Sequence, residues 1–175
     1  MTHASTLTVQ PLSAQAFQPY GWMLGKPYPG EAPDVAFSNP ATDFWREHLF
    51  DSGTGGQPEI LWVHYRNDGP VTHLEVHHLT QQAIVPLTGP LIHVVAASGP
   101  DGQPDLRSLA AFRVPPGQGL CMRPGCWHAS RVPAGEVACL MLTRRSTTED
   151  LVPHMRDGAP ARESAIVPVT PLAWR

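Results

Sequence analysis

The sequence predicts an all-β fold, a jelly roll or small barrel, with a short N-terminal helix and irregular N- and C-terminal extensions. The chain has 20 prolines and 15 glycines among its 175 residues, which weighs against a helical bundle and favours short strands joined by tight turns. From residue 59 onward, eight segments have the composition of strands, and turns rich in Gly, Pro, Asn and Asp separate them. Eight strands at this spacing are typical of a jelly roll or a small barrel.

The N-terminal third is predicted to wrap around the barrel over residues 1–58. Residues 7–12, LTVQPL, alternate like a short strand. Ser13 can cap one or two helical turns that follow it, and the proline and glycine of the sequence QPYG end them. Residues 25–58 are rich in Gly, Pro, Asp and Ser and have little periodicity, so we expect an irregular segment that contributes a lid.

The barrel core is predicted over residues 59–145, within a single domain that spans 1–175. We expect strands at 59–66, 72–79, 82–87, 91–98, 109–114, 119–123, 129–132 and 137–144. The sequence SGPDGQPDLRSL indicates an exposed hairpin loop. Residues 146–175 turn polar, and we expect an irregular tail that lies along the body of the protein or along a partner.

Composition excludes several classes of protein. The formal charge is −3, and no cluster of basic residues forms the patch that nucleic acid requires. No apolar run approaches the roughly 20 residues of a membrane span, and the N-terminus lacks the pattern of a signal peptide. The three cysteines have no CxxC spacing, which favours reduced thiols. We therefore expect a cytoplasmic protein.

One predicted strand carries an unusual set of polar side chains. His73, Glu75 and His77 alternate along it, so in an extended chain all three point to the same face. A buried sheet face does not normally hold two imidazoles and a carboxylate. This face either lines a reactive cavity or is exposed to water.

The spacing around this strand resembles the first of the two motifs of the cupin fold, a double-stranded β-helix. Residues 69–89 follow the pattern G-x5-EVH-x4-Q-x6-G, and residues 117–128 follow G-x5-RPG-x2-H. In cupins, two hairpins with these spacings bring histidines and a carboxylate onto one metal. The resemblance puts four residues at the ligand positions: Glu75, His77, Gln82 and His128.

Local geometry limits what these four residues can do. Glu75 and His77 are two apart on one strand, whereas Gln82 has the opposite parity, so a turn in the sequence HLTQ has to redirect it. Imidazole and carboxylate together suit zinc, iron, manganese or nickel, and an amide oxygen is a weak neutral ligand. Alternatively, the four groups hydrogen-bond to one another in a polar barrel without a metal.

Most of residues 7–145 resembles the ureidoglycolate lyase family of the cupin superfamily. The resemblance lies in the segments LTVQPLSAQAFQPYGWML, LEVHHLTQQAIVPLTG and VVAASGPDGQPDLRSLAAFRVPPGQGLCMRPGCWH. It implies a carbon–nitrogen lyase that eliminates urea from ureidoglycolate and leaves glyoxylate in allantoin and purine catabolism. It also implies nickel as the metal and, together with the long terminal extensions, a homodimer.

The implied reaction requires a base, an acid and a group that holds the substrate carboxylate. Either Glu75 or His77 can act as the base, and His128 as the acid. Arginine binds carboxylates with two parallel charge-assisted hydrogen bonds. The substrate-binding candidates are therefore the arginines of strands and turns, with two further residues that could line the cavity: Arg66, Arg123, Arg144, His73 and Trp127.

Two other functions remain open from the sequence. A metal-dependent oxygenase or isomerase could use the same scaffold and ligands. A non-catalytic protein that binds small carboxylates is suggested by departures from the family pattern, such as Ala129 in place of a second histidine after His128.

Overall fold

The computed structural model describes residues 5–30 and 35–175. Over these residues the elements are, in chain order, β1 (Ser5–Leu7), β2 (Val9–Pro11), α1 (Ala14–Phe17), β3 (Gly21–Leu24), β4 (Ala36–Asn39), β5 (Thr42–Trp45), β6 (Pro58–Tyr65), β7 (Val71–His77), β8 (Gln82–Pro86), β9 (Leu91–Ala96), a 3-10 turn (Leu106–Ser108), β10 (Ala110–Val114), β11 (Gly119–Met122), β12 (Trp127–Arg131), β13 (Val137–Arg144), α2 (Arg145–Asp157) and β14 (Ser164–Trp174). The fold is all-β in its body, as predicted.

Two sheets face each other and form a jelly-roll barrel. The larger sheet has the order β1-β14-β7-β12-β9-β10-β2, and the smaller has the order β3-β11-β8-β13-β6. One core cluster lies between them, with Phe17, Ile84, Phe112 and Leu120 fully buried. A second cluster, around Trp127, is formed by residues of the larger sheet, so that sheet packs apolar residues on both of its faces.

All eight strands predicted over residues 59–145 are present, each shifted by at most two residues at either end. The short helix is also confirmed, because the side chain of Ser13 accepts a hydrogen bond from the backbone N–H of Ala16 at 3.2 Å. The loop between β9 and β10 is a hairpin connection with an isolated bridge between Ser98 and Pro104. Turn chemistry and alternation were therefore sufficient to place the barrel strands.

The C-terminal tail is not irregular, which corrects the prediction for residues 146–175. It forms the 13-residue helix α2 and the 11-residue strand β14, which pairs with β7 in the larger sheet. Three prolines make this helix and this strand difficult to predict from the sequence. Pro153 lies inside α2, and Pro168 and Pro171 fall at a register shift of β14 where ladder hydrogen bonds are not required.

The N-terminal wrap is partly ordered into strands. β4 and β5 pair as a separate two-stranded hairpin, and the predicted lid region also includes residues 31–34, which lie outside the described part. His48, beyond the hairpin, stacks on Trp22 with ring centroids 4.2 Å apart and hydrogen-bonds to the side chain of Gln81 at 2.9 Å. The segment after the hairpin therefore packs against the smaller sheet. That the chain is a single domain stays a prediction.

None of the helices in the described ranges is long and apolar enough to cross a membrane.

Candidate active site

A cavity of about 300 Å³ lies inside the barrel, and helix α2 covers part of it. Side chains of β6, β7, β12 and β13 form its walls. Its lining residues are Leu61, Val63, Tyr65, Glu75, His77, Gln82, His128, Ala129, Ser130, Met141, Thr143, Thr147, Thr148, Leu151, Val152 and Met155. The strands therefore contribute polar groups to the cavity, and α2 contributes part of its apolar wall.

Glu75, His77 and His128 form a compact cluster in this cavity. β12 pairs with β7 so that His128 lies directly opposite Glu75, which is how the two sequence motifs meet. His77 Nε2 is 3.6 Å from Glu75 Oε1, and His128 Nε2 is 4.0 Å from Glu75 Oε2. One ligand atom from each of the three residues lies within 4.8 Å of the others, a spacing that could hold a metal ion.

The hydrogen-bond partner of His128 fixes its tautomer. Nδ1 lies 3.0 Å from the carbonyl oxygen of Cys126. Because a carbonyl only accepts, Nδ1 donates its hydrogen, and in the neutral ring Nε2 carries a lone pair on the side that faces Glu75. This nitrogen can therefore bind a metal or accept a proton.

His77 is held in the same tautomer by two neighbours. The amide nitrogen of Gln82 donates to Nε2 of His77 at 2.9 Å, so Nδ1 carries the hydrogen and donates to Ser164 Oγ, also at 2.9 Å. Burial, followed by repulsion from His128 and His78, lowers the pKa of His77 to about 3. His77 is therefore neutral at pH 7.

The turn between β7 and β8 brings Gln82 to the cluster despite its opposite parity, as the HLTQ sequence required. Glu75 Oε1 and Gln82 Oε1 are both buried and have no hydrogen-bond partner among the described residues. A cation at His77 Nε2 would replace the hydrogen bond from Gln82 and satisfy these oxygens. The four side chains thus fit a divalent metal with imidazole and oxygen ligands.

A layer of side chains behind the cluster supports His128. The buried ring of His93 stacks on that of His128 with centroids 5.7 Å apart, and its Nδ1 lies 3.0 Å from Ser130 Oγ. Burial, with repulsion from His128, lowers the pKa of His93 well below its usual value. Burial also raises the pKa of Tyr65, so this residue presents a neutral phenol to the cavity.

The three candidate arginines do not line the cavity in the described part of the chain, which corrects that expectation. Arg66 is exposed and pairs with Glu136 on the outer surface. Arg123 stacks on Trp22 at 4.3 Å and donates to the carbonyl oxygen of Gln18.

Arg144 has a structural role instead. Its guanidinium donates to the carbonyl oxygens of Ser52 and Thr54 and to the hydroxyl of Ser146. It also lies 3.6 Å from Glu163. Arg144 follows Thr143 on β13, and alternation along the strand turns it away from the cavity.

His73 and Trp127 are also absent from the cavity wall as the structure describes it. His73 shares the parity of Glu75, but it is exposed and contacts Thr72. Trp127 is fully buried in the second core cluster, because adjacent residues on β12 point to opposite faces and His128 takes the inner one.

Sequence reasoning missed the residues that complete the cavity. Tyr65 and Thr143 have the inward parity of their strands, so alternation alone could have indicated them. The covering residues of α2 follow an i, i+4 pattern, from Thr147 and Thr148 to Leu151, Val152 and Met155. Pro153 obscured this pattern.

A double-stranded β-helix with a histidine and carboxylate cluster inside its barrel defines a cupin-type enzyme. The family described as ureidoglycolate lyase matches residues 4–159, so the chain belongs to the ureidoglycolate lyase family. A ureidoglycolate lyase of Burkholderia mallei is 32% identical over 149 residues, which cover 80% of this chain and 82% of that protein. A ureidoglycolate lyase of Rhodobacter capsulatus is 32% identical over 144 residues, or 74% of this chain and 80% of that protein.

Two solved structures are also similar to the chain. A dTDP-sugar isomerase from Desulfovibrio desulfuricans has a TM-score of 0.44 and 15% identity, and the match covers 77% of this chain and 80% of that one. RmlC from Streptococcus suis has a TM-score of 0.45 and 11% identity, with 79% and 70% covered.

Proposed function

We propose that this protein is a ureidoglycolate lyase that eliminates urea from ureidoglycolate to give glyoxylate. The observation that carries the proposal is the cluster of Glu75, His77 and His128 inside the barrel cavity, in a chain of the ureidoglycolate lyase family. The cavity, at about 300 Å³, is of a size for a small substrate. Neither the oxygenase or isomerase alternative nor the binding-protein alternative is favoured by the family match.

Ureidoglycolate has a hydroxyl group and a urea nitrogen on the same carbon. In the elimination, the hydroxyl loses its proton, its oxygen electrons form the carbonyl of glyoxylate, and the electron pair of the carbon–nitrogen bond leaves with the nitrogen. The nitrogen then takes up a proton and urea departs. The enzyme therefore needs a proton acceptor beside the hydroxyl and a proton donor beside the nitrogen.

The cluster can supply both groups. The carboxylate of Glu75, with one oxygen free of protein partners, accepts the hydroxyl proton. His128 in its protonated form keeps the Nδ1 hydrogen bond to Cys126 and donates from Nε2 to the departing nitrogen. His77 is not the donor, because its Nε2 accepts from Gln82, its Nδ1 hydrogen is used by Ser164, and burial lowers its pKa to about 3. Glu75 Oε2 and His128 Nε2 are 4.0 Å apart, a distance that one bridging water would span to return the proton to His128.

A divalent metal fits the ligand set of Glu75, His77, His128 and Gln82. When bound, such an ion would occupy Nε2 of His128, so His128 would act as a ligand and the departing nitrogen would take its proton from water instead. The ion would supply positive charge for the substrate carboxylate and lower the pKa of the substrate hydroxyl. This charge matters because no arginine or lysine is among the cavity residues that the structure describes. Nickel is our proposal for its identity, by family resemblance. We also propose a cytoplasmic location.

The test is the release of urea and glyoxylate from racemic ureidoglycolate by the purified protein, before and after chelation and metal replacement. We expect turnover by the wild type and a fall in kcat of at least about 100-fold in Glu75→Gln, since the amide cannot accept the proton. Glu136→Gln makes the same exchange at an exposed surface residue and should retain activity. A wild type that releases no urea above the uncatalysed rate with any divalent metal would refute the proposal.

A further inference from the structure

The hydroxyl of Thr143 is a buried polar group that faces the cavity, and Glu59 Oε1, on the residue directly across on β6, is also buried without a hydrogen-bond partner among the described residues. Thr143 is 2% exposed, lines the cavity, and its Oγ1 has no hydrogen-bond partner among the described residues. Leaving a hydroxyl buried and unpaired costs on the order of 1–3 kcal/mol, so a ligand that pairs with it gains that interaction. The cavity is where such a ligand would lie.

Thr147, in the first turn of α2, lines the same cavity. Thr147 is 1% exposed, and its hydroxyl donates to Glu163 Oε2 at 2.6 Å. Because a hydroxyl has only one hydrogen, Thr147 Oγ1 can only accept from a ligand. Thr143 and Thr147 together thus offer one free hydrogen and several lone pairs, the complement of a group that has both N–H donors and a carbonyl.

The charge of each end of ureidoglycolate determines where in the cavity that end binds. Its carboxylate is an anion and would bind at the end of the cavity where Glu75, His77 and His128 can hold a divalent metal. Its ureido group is neutral, with N–H donors and one carbonyl acceptor. Neutral hydroxyl groups satisfy such a group without a charge imbalance.

We propose that Thr143 and Thr147 form the subsite that binds the neutral ureido group of the substrate, beneath the first turn of α2. This inference rests on the proposed function and extends it, because the subsite would hold the leaving group while Glu75 and His128 carry out the proton transfers. Thr143 donates to the ureido carbonyl, and Thr147 accepts from an N–H group.

The test uses two unreactive ligands that share the carboxylate of the substrate, only one of which has the ureido group. N-carbamoylglycine has the carboxylate and the ureido group, whereas glycolate has the carboxylate and the hydroxyl and lacks the ureido group. We measure their dissociation constants by calorimetry for the wild type and for Thr143→Val, which replaces the hydroxyl by a methyl group of similar size. The variant should bind N-carbamoylglycine about five- to tenfold more weakly and glycolate within twofold of the wild type.

Three further variants control the comparison. Thr143→Ala removes the same hydroxyl without added bulk and should repeat the effect if the valine variant folds poorly. Thr143→Ser keeps the hydroxyl and should bind N-carbamoylglycine like the wild type. Thr72→Val makes the matched exchange at an exposed strand position outside the cavity and should change neither constant.

The outcomes separate this inference from the proposed function. Glu59 lies directly across from Thr143 on β6. If Thr143 serves only to pair with Glu59, then Thr143→Val and Thr143→Ala lower thermal stability but leave both dissociation constants unchanged, and the subsite is refuted. If Thr143→Val weakens the binding of both ligands equally, the hydroxyl does not recognise the ureido group, and the subsite is refuted too. Loss of urea release by the wild type would instead refute the proposed function.

Discussion

His77 is held from two sides by residues that are far apart in the sequence. Gln82 reaches it from β8, and Ser164 reaches it from β14, where Ser164 is the cross-strand neighbour of His77. The hydrogen bond to Ser164 fixes the hydrogen on Nδ1 and turns Nε2 towards the cluster. A histidine ligand that donates its second nitrogen hydrogen in this way is oriented for metal binding.

Replacement of Ser164 should therefore weaken metal binding without removal of any ligand. We expect Ser164→Ala to lower the affinity for a divalent metal about tenfold or more, because the ring of His77 loses the partner that sets its orientation. Titration of metal-free protein with nickel in a calorimeter gives the affinity. Ser38→Ala, on the exposed β4–β5 hairpin, is the matched control, and equal affinities for the Ser164 variant and the wild type would contradict the prediction.

The three cysteines should be chemically inert in the folded protein. Burial raises the pKa of Cys121 and Cys126 to about 12 and that of Cys139 to about 11. Since the thiolate is the reactive form, each thiol should be far less reactive at pH 8 than an exposed cysteine.

Reaction with a chromogenic disulfide reagent at pH 8 checks this. We expect negligible colour from the native protein and three equivalents after denaturation in urea. One equivalent released from the native protein at the rate of free cysteine would show that a thiol is exposed.

At the level of elements, the sequence predicted the strands of the barrel but not the segments that close it. β6 to β13 are short runs rich in apolar residues, bounded by turns that contain Gly, Pro or polar residues, so local pattern sufficed. α2 and β14 contain prolines at positions where regular structure usually avoids them, and only their tertiary contacts show how the fold accommodates them.

The candidate site, too, could be predicted from the sequence only in part. The spacing of the two motifs was enough to select Glu75, His77, Gln82 and His128, because a register between β7 and β12 brings motif residues face to face. The arginines could not be placed from the sequence, since each had several carboxylate or carbonyl partners available in the fold. Arg144 is the clearest case, because its partners lie about 90 residues away in the chain.

For the whole molecule, the exposed face of β6 favours the predicted homodimer. β6 is the edge strand of the smaller sheet in the described structure, and Ile60 and Trp62 on it are 68% and 64% exposed. They lie opposite Leu142 and Leu140 of β13, which extend the apolar surface. Edge strands of monomers usually carry charges or prolines that prevent pairing; β6 begins with Pro58 and Glu59, but the four residues after them, 60–63, are all apolar.

We predict that a second copy of this chain covers this surface. An antiparallel strand related to itself by a two-fold axis pairs in register, and the same apolar residues then meet on both sides of the interface. Trp62, a large aromatic residue at its centre, would contribute much of the binding energy.

Trp62→Glu should therefore convert the dimer to a monomer, because two carboxylates would be buried near each other at the two-fold axis. Analytical ultracentrifugation over a range of concentrations measures the change. Leu106→Glu, at an exposed apolar residue of the 3-10 turn beside the larger sheet, should leave the dimer intact. A monomeric wild type, or a dimer that persists in Trp62→Glu but is lost in Leu106→Glu, would show that β6 is not the interface.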